Sequence, residues 1–148
     1  MTNWIDLKKG FKNYLILERS FSKNTISGYL SDLDKLSLFQ PTIRPEYLNQ
    51  QDLENFLAYL NELCLSSNSQ ARILSAIKSF FNYLLLENLI QENPAELLDG
   101  PKIKRKLPEV LSQDEIFLIL ETLDLSTIHG RRNRAMLETL YATGVRVS

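Results

Sequence analysis

Apolar positions recur at spacings of three and four along most of this chain, the period of helices with one buried face. Trp4, Leu7, Phe11, Tyr14, Leu15 and Leu17 mark a first helix over about residues 4–18. Residues 20–24 interrupt it. Asn24 is predicted to cap a second helix, whose stripe is Ile26, Tyr29, Leu30, Leu33 and Leu36; its spacing places Tyr29 with the core. Pro41 and Pro45 bracket a loop, because proline cannot continue a helix. Asn49, with Asp52 three residues on, predicts the start of a third helix burying Leu53, Phe56, Leu57, Leu60 and Leu63. Cys64, between two leucines at that helix's end, is expected to be a buried thiol.

A polar hinge at residues 66–69 leads into a fourth helix over about 69–87. Its apolar side holds Ile73, Leu74, Ile77, Phe80, Phe81 and Leu84. Arg72, Ser75, Ser79 and Asn82 follow the opposite side, with Lys78 beside them. Asn93-Pro94 resembles a cap with proline at the first helical position and predicts a short fifth helix to Leu98. Residues 99–108 then place one glycine, two prolines and four basic side chains together, which predicts an exposed linker. Ser112-Gln113-Asp114-Glu115 is a capping box opening a new helix. A last helix, about 131–143, carries Met136, Leu137, Leu140 and Tyr141 and stops at Gly144. The pattern therefore predicts an all-α chain: a helical domain at 1–99, a basic linker at 100–110, and two helices at 111–148. That last stretch is too short to bury a core alone, so it is expected to be the opening of a truncated second domain.

Composition changes this picture little. Of 148 residues, 44% are hydrophobic and 24% charged, ordinary values for a water-soluble fold. No apolar run is long enough for a membrane span, and the N-terminus has no charged-then-apolar leader pattern, so a cytoplasmic protein is expected. The net charge of −1 argues against a uniformly basic nucleic-acid binder. The distribution is uneven, however: residues 1–99 carry 9 basic and 12 acidic side chains, residues 100–148 carry 8 and 6.

Candidate chemistry is sparse. The chain has no glycine-rich phosphate loop and no paired Cys or His at metal-ligand spacing, so neither metal nor cofactor is expected. His129, the only histidine, falls in a polar stretch at 126–130 and is expected to be a solvated loop residue. Periodicity and composition alone leave a helical protein of open role.

Five strings, in order, take it further: Tyr14 to Thr25 (YLILERSFSKNT), Ser69 to Phe81 (SQARILSAIKSFF), Glu92 to Leu98 (ENPAELL), Lys106 to Ser112 (KLPEVLS) and Tyr141 to Ser148 (YATGVRVS). Together they resemble the Xer-type tyrosine recombinases of the integrase family, most nearly the XerD branch. The resemblance implies a four- to five-helix SAM-like core-binding domain, a linker, and the first two helices of a mixed α/β catalytic domain. It implies binding to a double-stranded DNA recombination site, with other recombinase protomers in a synaptic tetramer and possible coupling to a DNA translocase during chromosome dimer resolution. DNA integration is a second role open to such a protein. Neither membrane nor cofactor is implied.

Carried over position by position, the DNA-contacting candidates are Lys23, Asn24 and Thr25 at the start of the second helix. Gln70, Arg72, Ser75 and Lys78 follow on the fourth, and Lys102, Lys104, Arg105 and Lys106 in the linker. Arg and Lys neutralise phosphates or read guanine, and short polar side chains hold backbone or bases. Arg146, directly after Thr143-Gly144-Val145, matches the first of two family arginines that grip the scissile phosphate. Tyr141 lies on an apolar stripe and matches no catalytic position. The family's hairpin lysine, His-x-x-Arg pair and tyrosine nucleophile would lie beyond Ser148, so the chain is expected to bind without cutting. Two other classes stay open: a naturally short, non-catalytic DNA-binding module, and a helical protein-interaction module for which the polar side of the fourth helix is merely solvated.

Overall fold

Trp4, Leu7, Phe11 and Leu15 repeat every three or four residues, and helix α1 (Trp4–Leu17) buries all of them along one side. The computed structural model describes residues 4–103 and 110–146. Helix α2 (Lys23–Phe39) follows, then a single 3₁₀ turn (Pro45–Tyr47), α3 (Gln50–Glu62), α4 (Ser67–Leu86), α5 (Gln113–Glu121) and α6 (Ile128–Thr143). Every regular element among the described residues is helical. The chain divides into two compact units, Met1–Lys104 and Arg105–Ser148.

In the first unit α2 packs on α1 and α4, and α1 also meets α4. Phe11 lies at the centre, edge-on to Phe80 with centroids 5.3 Å apart and 5.7 Å from Tyr83. Trp4 stacks on Phe80 at 6.0 Å, and its indole Nε1 donates to the Ile43 carbonyl at 3.0 Å. That bond ties the start of α1 to the loop before the 3₁₀ turn. Gly10 is required here: a Cβ at that position would collide with the Tyr83 hydroxyl. Helix α3 adds Leu53, Phe56 and Leu60, with Phe39 of α2 set 5.4 Å from Phe56. Burying each aromatic ring contributes about 1.5–3 kcal/mol, so these few side chains dominate the unit's stability.

Local capping sets the helix starts. Asn49 and Asp52 form a reciprocal box at α3, each side chain taking the other's backbone N–H at 3.0 Å. Helix α4 is capped by Ser66 and begins at Ser67, two residues upstream of the predicted start. Helix α2 is capped by Ser22 rather than Asn24: Ser22 Oγ accepts the Thr25 N–H, and Asn24 lies inside the first turn. The earlier start follows from Phe21, whose N–H donates to the Leu15 carbonyl and whose ring meets Tyr29 edge-on at 5.9 Å. Tyr29 packs against the core as its spacing predicted.

Further expectations are corrected in this unit. Leu63, expected among the side chains that α3 buries, is its C-cap and 51% exposed. Residues 94–97 form turns rather than a fifth helix, because Ala95 and Leu98 plug into the core after one turn and Gly100-Pro101 follows. Cys64 is exposed, not buried: it takes a left-handed φ of 53° just past α3, which swings its side chain outward.

In the second unit, Ser112 and Glu115 form the predicted box at α5, with Ser112 N–H donating to Glu115 Oε2 at 2.7 Å. Thr127 caps α6 by accepting the Gly130 N–H, so His129 stands exposed in the helix's first turn rather than in a loop. Gly144 ends α6 with φ 63°, the left-handed conformation that glycine adopts without penalty. Of the apolar side chains described in this unit only Leu120 is buried; Phe117, Leu118, Ile119, Met136 and Tyr141 are all exposed.

Candidate nucleic-acid interface

Of the polar positions predicted on α2 and α4, Arg72 is the one seated in the crease where the two helices pack on each other. Gly28, Asp32 and Lys35 are spaced four and three residues apart, so they lie on one side of α2. Arg72 of α4 reaches across to that side. Its Nη2 donates to Asp32 Oδ1 at 3.2 Å, and its Nη1 rests over Gly28, where an ideal Cβ would approach to 2.9 Å. Lys35 Nζ donates to the same Asp32 oxygen at 2.7 Å. Asp32 is fully buried, whereas the Arg72 and Lys35 side chains remain 52% and 40% exposed. Asp32 Oδ2 has no hydrogen-bond partner among the described residues. The crease therefore presents two cations on one buried anion.

Around that centre, Lys23, Asn24 and Thr25 are exposed on the first turn of α2, with Thr25 one turn before Gly28. Ser75 lies one turn after Arg72, its hydroxyl donating to the Ala71 carbonyl at 2.9 Å while its oxygen stays available to accept. Lys78, a turn further on, is half-buried, and its Nζ donates to the Glu96 carbonyl at 3.2 Å, which fixes a cation beside the turn at residues 94–97. Gln70 differs from its expected role. It is 8% exposed, and its Nε2 donates to the Leu65 carbonyl at 3.0 Å, bracing the entry to α4 from inside. Lys102 is exposed. Lys104, Arg105 and Lys106 lie outside the described residues. In the second unit Arg146 is exposed, two residues beyond the left-handed Gly144.

Asp32, Lys35 and Gly28 were missed in the sequence. Asp32 sits 40 residues from Arg72, and nothing local marks it as paired. The only available signal was an aspartate directly before Leu33, on the side of α2 that the apolar stripe turns inward.

A groove of about 820 Å³ in the first unit, between the 3₁₀ turn, the start of α3 and residues 85–97, is lined by Glu46, Glu92 and Glu96 and so is poorly suited to a polyanion. Burial, and then the charge of Glu87, raise the Tyr83 phenol above its ordinary value. Among the described residues no group of three His, Cys, Asp or Glu side chains is placed to hold a metal. No described helix is long and apolar enough to cross a membrane.

Comparison with known proteins agrees with the helical architecture. Residues 9–88 match the family described as phage integrase, N-terminal SAM-like domain. The chain is 39% identical over 141 residues to the tyrosine recombinase XerD of Staphylococcus saprophyticus, an alignment covering 93% of this chain and 48% of that protein. It is 42% identical over 150 residues to the tyrosine recombinase XerD of Chlorobaculum tepidum, covering 98% of this chain and 49% of that one. The chain thus spans about half the length of these curated relatives. With a matching family domain over more than half its residues and α1–α4 built as described, the chain belongs to the phage integrase family of tyrosine recombinases and carries that family's N-terminal SAM-like domain.

Proposed function

We propose that this chain is the DNA-binding portion of a site-specific tyrosine recombinase and that the α2–α4 crease is the face it lays on duplex DNA. The observation that carries the reading is Arg72, a half-exposed guanidinium fixed where two helices meet. A pre-placed, permanently charged fork suits a phosphate or a guanine edge better than a freely moving lysine does. Lys23, Asn24 and Thr25 flank it on α2, and Ser75 and Lys78 on α4, giving a strip of cations and short polar groups within a chain of net charge −1. Lys102, with Lys104, Arg105 and Lys106, would continue the strip as a basic strap across phosphates.

The two XerD relatives are named as tyrosine recombinases, and the proposed reaction follows from that chemistry. A tyrosine hydroxyl attacks a DNA phosphodiester, forming a 3′-phosphotyrosyl bond and releasing the 5′-hydroxyl. Attack of another 5′-hydroxyl reverses the step and exchanges strands. Arg146 would hold the scissile phosphate and offset the negative charge that accumulates in the pentavalent transition state. Other recombinase protomers in a synaptic tetramer are the proposed partners. The proposed setting is the cytoplasm, with chromosome dimer resolution as the process and a DNA translocase as a further partner.

Fluorescence anisotropy tests the binding face. The 148-residue chain is titrated against a labelled duplex of recombination-site sequence and a shuffled duplex of equal composition. Arg72→Ala is expected to weaken binding to the recombination-site duplex about tenfold and to flatten the salt dependence by about one phosphate contact. Equal affinity of wild type and variant for both duplexes would overturn the proposal and favour a protein-interaction module.

A further inference from the structure

Asp32 is an anion buried in the middle of the surface proposed to meet a polyanion. Its burial is costly, since one carboxylate oxygen has no partner among the described residues, and a well-packed apolar side chain often serves a core better than a buried ion pair. A role beyond stability is visible in its contacts. Oδ1 accepts from Arg72 Nη2 and Lys35 Nζ together, so the two cations lie within about 6 Å of each other, close enough to act on one phosphate. Gly28, one turn before Asp32 on the same side of α2, leaves open the space beside Arg72 Nη1, which would lie 2.9 Å from a Cβ there. Only one of the five guanidinium N–H groups is engaged with Asp32, and about half of the Arg72 side chain stays open to solvent.

We propose that Asp32 and Gly28 are positioning residues for DNA binding: Asp32 clamps Arg72 and Lys35 into a fixed dication, and the missing Cβ at Gly28 leaves room for the guanidinium in the α2–α4 crease. The inference rests on the DNA-binding reading above. Its physical content is preorganisation. A long, flexible arginine held in its binding posture loses less freedom when a phosphate arrives, so the contact yields more affinity.

The sign of the Asp32 effect separates positioning from simple electrostatics. Removing an anion from a DNA-binding face tightens binding if charge alone matters. Asp32→Asn is instead expected to weaken binding to the recombination-site duplex about fivefold. Gly28→Ala is the second variant and guards against a folding defect, since it alters no charge and alanine favours a helix interior over glycine. Its Cβ would displace only the end of a flexible side chain. It is expected to lose about fivefold in affinity with a melting temperature that does not fall, and to lose nothing further in an Arg72→Ala background.

Wild-type or tighter binding by both variants, in an assay where Arg72→Ala weakens binding, would overturn the positioning roles and leave the DNA face standing. A further loss on adding Gly28→Ala to Arg72→Ala would also overturn them, because Gly28 would then act independently of Arg72. Wild-type affinity in Arg72→Ala itself would remove both the face and the positioning.

Discussion

The two units form their helices by the same local rules but differ in what those helices cover. In the first, the apolar sides of α1, α2, α3 and α4 converge on Phe11, Phe56, Phe80 and Phe81, all fully buried. In the second, α5 and α6 are as carefully terminated, with a capping box at Ser112–Glu115 and a left-handed glycine at the end of α6. Yet Phe117 is 47% exposed and Met136 54%. Caps decide where a helix begins and ends, while burial depends on how many apolar sides meet. Two helices cannot enclose rings that four helices cover completely.

This contrast can be broken most directly in the first unit. Phe80 touches Trp4, Phe11, Phe81 and Tyr83, so Phe80→Ala is expected to remove about 3–5 kcal/mol of stability in denaturant titration followed by circular dichroism. A loss below about 1 kcal/mol would mean that the ring cluster does not hold the unit together. In the second unit, Met136→Gln is expected to change stability by no more than about 0.5 kcal/mol in the same measurement, because Met136 is already 54% exposed. A core-sized loss there would show that α6 is covered in solution.

The finest test concerns pH. The backbone N–H and hydroxyl of Ser112 hold the Glu115 carboxyl below its ordinary value, and neighbouring Ser126 lowers Asp124 in the same way. A carboxylate with a depressed folded value stabilises above its unfolded pKa, and that support is lost as pH falls through the folded value. The α5 start should therefore hold at neutral pH and loosen only below the usual carboxylate range. Carbon-13 titration of the Glu115 carboxyl reads this, with Ser112→Ala raising the value only part of the way back, because alanine removes the hydroxyl and keeps the backbone N–H that contributes most. An ordinary value in the wild type would remove the box from the account.

What was legible in the sequence follows the same division between local and distant causes. The boxes at Asn49–Asp52 and Ser112–Glu115 were readable because both partners lie within four residues and the bonds are made inside the helix's own first turn. The α2 start was misplaced by two residues because Ser22 and Asn24 are both competent caps, and the packing of Phe21 on Tyr29 decides between them. Asn93-Pro94 carries a sound helix-start signal, but the burial of Ala95 and Leu98 ends it within one turn. In the candidate interface Arg72 was readable as a cation on a polar helix side. Its anchorage was not, since Asp32 and Gly28 become neighbours of Arg72 only when α2 docks on α4. Gln70 shows the converse: the side chain is polar, but the hinge before α4 turns it inward to the Leu65 carbonyl.

The placement of Trp4 has an optical consequence. It is the only tryptophan in the chain, it is 7% exposed, and it stacks on Phe80 within the first unit. Its emission should therefore be blue-shifted while α1 and α4 hold together, and should move to longer wavelength when that unit opens. The second unit contains no indole, so its unfolding should leave the tryptophan spectrum unchanged and register instead in tyrosine absorbance at Tyr141. One unmodified chromophore can thus report on a single half of the molecule, without labelling and in the presence of the other half.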